Sequence, residues 1–287
     1  MLQARLSNHV AVKLSSLYLL VAVRCLCFAD DSGARILIVT DLEGVGGVNS
    51  AEEQLLPGQR RYEESRRLLT GEVNAAAEGA FLAGARQVVI WDGHDGSRTL
   101  SIDQIHPRAQ LIQGRPTPPD YYLKSKLYDG IMFVGQHAMA GAPDGVLAHS
   151  QSFSVQRITL NHKPVGELGQ VAAIAGHFDI PVIMLAGDRA ACDEMIALQP
   201  EAETVTVKNL VGQASTLSLS HAEACARIRQ AARAAVKRAH NFKPWKVETP
   251  IELKFEFKPD EQHPAGRTVV YTGATVLEAY KAWLGNK

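Results

Sequence analysis

Three apolar runs in this chain stop at residues able to hold a metal. Arg35–Thr40 is followed by Asp41-Leu-Glu43-Gly44, Gln87–Trp91 by Asp92-Gly-His94-Asp95-Gly96, and Gly130–Val134 by Gly135-Gln-His137-Ala138. Asp41 and Glu43 are two apart, so on extended backbone both side chains leave the same face. The glycines that follow let the chain turn tightly around a small object. Converging carboxylates repel each other unless a positive charge joins them, and no Lys or Arg lies in the three strand-end segments. A divalent cation resolves the repulsion. Oxygen and imidazole donors without a thiolate suit Zn²⁺, Mn²⁺ or Co²⁺. Glu167, in Gly166-Glu-Leu-Gly169, adds a carboxylate from the first turn of an expected helix. Together Asp41, Glu43, His94, His137 and Glu167 exceed what one catalytic tetrahedral zinc takes. They suit two metals sharing a bridging carboxylate, a layout common among hydrolases.

Each position taken alone has a plainer account. Asp at a strand end is often only a cap or turn residue, and isolated histidines such as His106, His177 and His221 belong to the surface or to a satisfied core. The metal assignment rests on the coincidence of three motifs on three successive strand ends. Gly44-Val-Gly-Gly47 is not a nucleotide loop. It lacks the GxGxxG spacing and the GK[ST] of a phosphate loop, and it begins beside two carboxylates that would repel phosphate.

The elements that must position these residues alternate. Short aliphatic runs at 35–40, 87–91, 130–134 and 181–185 read as strands buried on both faces. Helical spacing over 60–84, at Tyr62, Leu69, Val73, Ala76 and Ala80, and over 167–178 separates some of them. This predicts an α/β domain with a mainly parallel sheet, whose strand C-termini share one edge where open sheets carry their sites. After residue 200 the pattern changes. Thr204–Val207 is a short strand. Ser220-His-Ala-Glu223 and Thr275-Val-Leu-Glu278 are capping boxes opening helices, the second carrying Tyr280 and Trp283. Ile251, Leu253, Phe255 and Phe257 alternate with charged residues, as in a strand with one wet face. The expected organisation is a catalytic α/β domain at 34–198 and a smaller C-terminal α+β domain at 199–287.

Residues 1–29 differ from the rest. Arg5, His9 and Lys13 give a weakly basic start, Leu17–Val23 is apolar, and Ala29 precedes Asp30-Asp-Ser-Gly33, the layout of a secretory signal. The mature chain is expected to begin near Asp30 and to be exported to the periplasm or beyond; without such a signal it would be cytoplasmic. Cys25 and Cys27 would leave with that segment, and Cys192 and Cys225 are too few for a disulfide framework. They are expected to be buried free thiols. Lys+Arg and Asp+Glu both number 30, so the net charge is zero, which argues against bulk electrostatic binding of nucleic acid. Hydrophobic residues make up 46% of the chain, as in ordinary globular proteins. No apolar run approaches the roughly 20 residues of a membrane span.

The motifs resemble those of the DppA-type D-aminopeptidases, a family of binuclear zinc peptidases. The resemblance is carried by Thr40-Asp-Leu-Glu-Gly44, Asp92-Gly-His-Asp95, Gly135-Gln-His-Ala138, His149-Ser150 and Asn161-His-Lys-Pro-Val-Gly-Glu167, in that order. It continues through Trp245-Lys-Val-Glu-Thr-Pro-Ile-Glu-Leu253 and Thr272-Gly-Ala-Thr-Val-Leu-Glu278. It implies two Zn²⁺ per subunit bridged by Asp41, with Glu43 and His94 completing one site and His137 and Glu167 the other. It assigns His149 as the catalytic histidine, described in the family as a nucleophile, and it implies a ring-like homodecamer. On physical grounds the metals would activate water, with His149 bonding the oxyanion or carrying a proton; direct attack by His149 stays open. Asp95 and Asp188 are plausible partners fixing histidine tautomers, and His162 and Lys163 are expected near the site.

The expected activity is hydrolysis of short peptides with an N-terminal D-residue, of the D-Ala-D-Ala type. Alternatives are another binuclear metal hydrolase (an L-aminopeptidase, amidohydrolase or phosphoesterase) or a non-catalytic solute-binding protein.

Overall fold

The aliphatic runs form strands because both of their faces are covered. In β1 (Arg35–Thr40) Ile36 and Ile38 enter one apolar core and Leu37 and Val39 another. In β4 (Gly130–Gln136) Met132 and Val134 join the first core, Ile131 and Phe133 the second. That is the alternation of a central strand in a three-layer fold. The structure, a computed structural model, describes residues 33–115, 123–124, 126–213 and 215–285. The signal-like segment 1–29 and the Pro116–Pro119 loop lie outside the described residues.

The larger sheet has seven strands in the order β3-β2-β1-β4-β7-β8-β9. Here β2 is Gln87–Trp91, β3 Gln110–Ile112, β7 Val182–Asp188, β8 Glu203–Val211 and β9 Ser215–Ser218. All pairings are parallel except β8 with the edge strand β9. A four-stranded sheet, β11-β10-β5-β6, is antiparallel: β5 is Val155–Leu160, β6 Lys163–Pro164, β10 Ile251–Phe257 and β11 Arg267–Gly273. Six α-helices are described. They are α1 (Ala51–Gln54), α2 (Tyr62–Leu82), α3 (Glu167–His177), α4 (Arg189–Leu198), α5 (His221–Lys237) and α6 (Val276–Leu284).

α2 and α5 cover one face of the large sheet, and α3, α4, α6 and the small sheet share the core on the other. Both expected capping boxes form: Ser220 Oγ accepts from the Glu223 amide and Thr275 Oγ1 from that of Glu278. β10 alternates as expected, with Ile251, Leu253 and Phe255 buried. No described helix is long and apolar enough to cross a membrane.

The expected boundary at 198/199 is corrected. Residues 34–287 form one compact unit. β8 extends the large sheet beside β7, and α5 packs along α2, so the chain after 199 completes the first layer system before it builds the second. The small sheet in turn borrows β5 and β6 from the first half of the chain. A change in local hydropathy pattern reported a change of sheet, not of domain. Cys192 and Cys225 are both free thiols, the first buried and the second half-buried.

Candidate metal centre

The three strand ends meet because their backbones are stitched together. The Asp41 amide donates to Val134 O (2.9 Å) and that of Gly44 to Gly135 O (2.7 Å), tying the end of β1 to that of β4. The approach demands glycine. A Cβ on Gly44 would lie 2.0 Å from Gln136 O, and one on Gly135, where φ is +77°, 2.1 Å from Asp41 O.

Asp41, the first residue past β1, stands between two groups of ligands. Its Oδ1 is 3.2 Å from His94 Nδ1 and its Oδ2 3.2 Å from His137 Nε2. Glu43 Oε2 is 3.0 Å from His94 Nδ1. Glu167, at the start of α3, places Oε1 3.7 Å from His137 Nε2 and 3.7 Å from His149 Nε2. Two trios result, each compact enough to hold one ion: Asp41, Glu43 and His94, and His137, His149 and Glu167. Every residue of the two trios is buried except Glu167, which is partly exposed. The structure thus brings together all five expected ligands, and adds His149 to the second trio.

The histidine tautomers are set by backbone carbonyls rather than by Asp95 or Asp188. His94 Nε2 donates to Leu55 O (2.9 Å), His137 Nδ1 to Ala138 O (2.9 Å) and His149 Nδ1 to Leu147 O (2.9 Å). With one nitrogen of each ring committed to a carbonyl, the other faces the carboxylates and is the one a metal would take, on loss of its proton. Asp95 instead pairs with Arg115, and Asp188 caps α4 through the Ala191 amide. Asn161 ties into the 248–250 turn, His162 faces Glu252, and Lys163 stacks over Trp245, so that loop belongs to the small sheet and not to the site.

The charges agree with a cation site. Burial opposes ionisation of Asp41, yet hydrogen bonds from His137 and His94 hold its carboxyl well below the usual range. Burial also opposes charge on His94, but Glu43 and Asp41 push its pKa up to about 12; Asp41 likewise lifts His137 to about 10. Desolvation, then the Asp41 charge, raises Glu167. Two imidazolium protons are what the carboxylates recruit, and they are the charges that divalent cations would displace. Glu43 Oε2 and His137 Nε2 are sealed from solvent without a well-formed hydrogen bond, as expected of donors reserved for an ion. The residues present therefore fit a two-metal site.

Three residues that the sequence did not single out hold the centre in place. Lys208, on β8 and 1% exposed, donates its Nζ to Glu43 O and to Val48 O (2.5 Å), clamping the loop that carries Asp41 and Glu43. Glu194 accepts from the Met139 amide (3.0 Å) and the Gly166 amide (3.1 Å), joining the loop after His137 to the residue before Glu167. Gln136 Nε2 donates to Asp41 Oδ2 (3.1 Å). The only advance signal was Lys208 itself, a lysine next to the alternating Thr204–Val207 strand. His149 is clasped between two rings, His137 at 4.1 Å and Phe153 at 4.3 Å, both nearly parallel to it. All of this opens into one cavity of about 1090 Å³, whose apolar wall includes Trp91, Ile174, Tyr280 and Trp283.

The sequence pattern of the D-aminopeptidase family matches residues 34–283. The chain is 32% identical over 265 residues to the D-aminopeptidase of Bacillus subtilis (strain 168), a match spanning 87% of this chain and 95% of that protein. It is also similar to the solved structure of the Zn-dependent D-aminopeptidase DppA from Bacillus subtilis, described as a self-compartmentalizing protease. The TM-score is 0.78 at 29% identity, over 88% of this chain and 96% of that one.

Proposed function

This chain belongs to the D-aminopeptidase family and is a metallo-aminopeptidase; from that premise we propose that it uses two zinc ions per subunit, bridged by Asp41, to remove N-terminal D-residues from short peptides of the D-Ala-D-Ala type. The observation that carries this reading is that Asp41 offers one carboxylate oxygen to each trio.

Zinc bound by these residues would supply Lewis acidity, polarising a peptide carbonyl and acidifying water. The protein does the rest. Leu55 O and Ala138 O hold His94 and His137 with the nitrogens that would ligate aimed inward. His149, pinned by Leu147 O and the two flanking rings, presents its Nε2 to the cavity. That nitrogen can take a proton during attack and return it to the leaving amine. A metal or a carboxylate of this centre would anchor the free α-amino group of the substrate, so blocking the amine by acetylation removes the group that this end recognises. A second reading is favoured by one observation: His149 Nε2 lies among the donor atoms of the His137 trio, so His149 could be a ligand of the second metal.

The solved relative's description as self-compartmentalizing supports a homo-oligomer here, which we extend to the decamer implied by the family. Export rests on the composition of residues 1–29, and N-terminal sequencing of the mature protein tests it. The decisive experiment combines metal analysis with a peptide panel. Two zinc ions per chain and faster cleavage of D-Ala-D-Ala and D-Ala-Gly-Gly than of their L-counterparts are expected. Equal or faster cleavage of the L-peptides would remove the D-specific assignment and leave an aminopeptidase.

A further inference from the structure

We infer that Arg115 binds the C-terminal carboxylate of the substrate, making the enzyme selective for short peptides with a free carboxyl end. This deepens the function proposed above and rests on it. The charge lining of the cavity is lopsided. Among its described residues Asp41, Glu43, Asp95 and Glu167 are anionic, and Arg115 is the one Lys or Arg. A free dipeptide is a zwitterion. Its amino end belongs at the metal trios, and beyond them Arg115 is the one Lys or Arg among the described lining residues able to meet the carboxylate at its other end.

Arg115 is exposed, yet its backbone is not free. It follows β3, and the residues before it are fastened to the loop that carries His94. Gln113 Nε2 donates to Asp92 Oδ2 (3.1 Å) and Leu100 O (2.8 Å), and the Gly114 amide donates to Ser97 O (2.9 Å). Asp92 also accepts from the Leu100 amide (2.8 Å). This explains a strand-end carboxylate that ligates nothing: it anchors the two loops to each other. The guanidinium then meets Asp95, the neighbour of His94, through a single long contact, Nη2 to Oδ1 at 3.6 Å. One such contact aims the group and leaves most of its five donors for a bidentate carboxylate. Successive Cα atoms are about 3.8 Å apart, so a di- or tripeptide is of the right scale to run from the metal trios to a residue tethered one position beyond His94.

The test uses the metal-loaded enzyme and its Arg115→Ala and Arg115→Lys variants. Substrates are D-Ala-D-Ala and D-Ala-p-nitroanilide, which has no carboxylate. In Arg115→Ala the KM for D-Ala-D-Ala should rise about tenfold or more, the scale of a lost charge-assisted hydrogen bond, with kcat within about twofold. The KM for the anilide should not move. Arg115→Lys should recover part of the loss, because a point charge remains without the fork. A KM change shared equally by both substrates would mean loop disruption and overturn the proposal, as would no change in either. Calorimetric binding of D-Ala-D-Ala against its C-terminal amide separates this idea from the parent reading. Wild type should prefer the acid and Arg115→Ala should not, whether or not the peptide is turned over. Equal binding of acid and amide by wild type refutes the role of Arg115, whereas absence of peptide hydrolysis alone refutes the proposed activity.

Discussion

Replacing Lys208 by Met separates the positioning of the first metal trio from the stability of the fold. The substitution keeps an unbranched side chain, one atom shorter, and removes two hydrogen bonds, to Glu43 O and Val48 O. A buried carbonyl left without a donor costs about 1–3 kcal/mol, or roughly 2–6 for the pair. The ammonium was itself disfavoured. Burial pushes its pKa from 10.5 down to about 8, against the pull of Asp188, Glu72, Glu43 and Asp41, equivalent to roughly 3 kcal/mol of unfavourable charging that methionine relieves. The two effects largely offset each other, so the metal-free melting temperature should move by only a few degrees. The loop holding Asp41 and Glu43 loses its clamp, however. Affinity at the Asp41–Glu43–His94 trio should fall about 10- to 100-fold, as when other outer supports of metal ligands are removed. The His137–Glu167 trio, held by Glu194, should change much less. Titration of the metal-free protein with zinc against a competing chelator, beside thermal melts in chelator alone, reads both quantities. Unchanged affinity at both sites, or equal weakening of both with a collapse in melting temperature, would refute this account of Lys208.

Asp41→Ala should be the most damaging ligand change and leave fewer than one tightly bound zinc per chain by metal analysis, since each of its oxygens faces a different trio; two retained ions would sink the bridging role. His149→Ala should keep nearly full metal content yet lose about 100-fold or more in kcat if the ring moves protons. Loss of one metal instead would identify His149 as a ligand. Glu72, on the buried face of α2 and bonded to the Gly46 amide, is raised from 4.5 to about 7 chiefly by desolvation. Its folded form favours the proton, so its contribution to stability is full below about pH 4.5 and is lost as pH rises through 7. Glu72→Gln keeps the acceptor for Gly46 and should therefore raise the unfolding free energy read from urea melts at pH 8 by up to roughly 3 kcal/mol, and hardly at pH 4.5; the same gain at both values would contradict the desolvation argument.

The parts of this site that could be read in advance are those with a one-dimensional signature. A strand buried on both faces must be nearly continuous in aliphatic residues, so β1, β2, β4 and β7 announced themselves, and the residues that ended three of them had to share an edge. The capping boxes of α5 and α6 were legible because a cap is local. What could not be read depended on distant partners. The carbonyls of Leu55, Ala138 and Leu147 that fix the imidazoles carry no side-chain mark. Lys208 looked like the polar end of a short strand, and its burial is decided by a loop 160 or more residues away in the chain. β11 alternates half-buried and exposed positions, but Val269, Val270 and Tyr271 in a row hide that period in the sequence, and β5 becomes a strand only because β10 lies beside it. The domain boundary failed for the same reason, since sheet membership is a property of pairing and not of composition.

The interleaved backbones around Gly44 and Gly135 bear on how such an enzyme can evolve. Where a single methyl group would collide with a neighbouring carbonyl at about 2 Å, neither substitution nor insertion is tolerated without displacing Asp41. The segments that carry Arg115 and Phe153 are under no such constraint; they border the same cavity and are spliced to the centre mainly by side chains and single amides. Variation is thereby channelled outward. A lineage built on this frame can exchange one diet of peptides for another, residue by residue along the rim, while the hydrolytic chemistry at its hub is passed on unaltered.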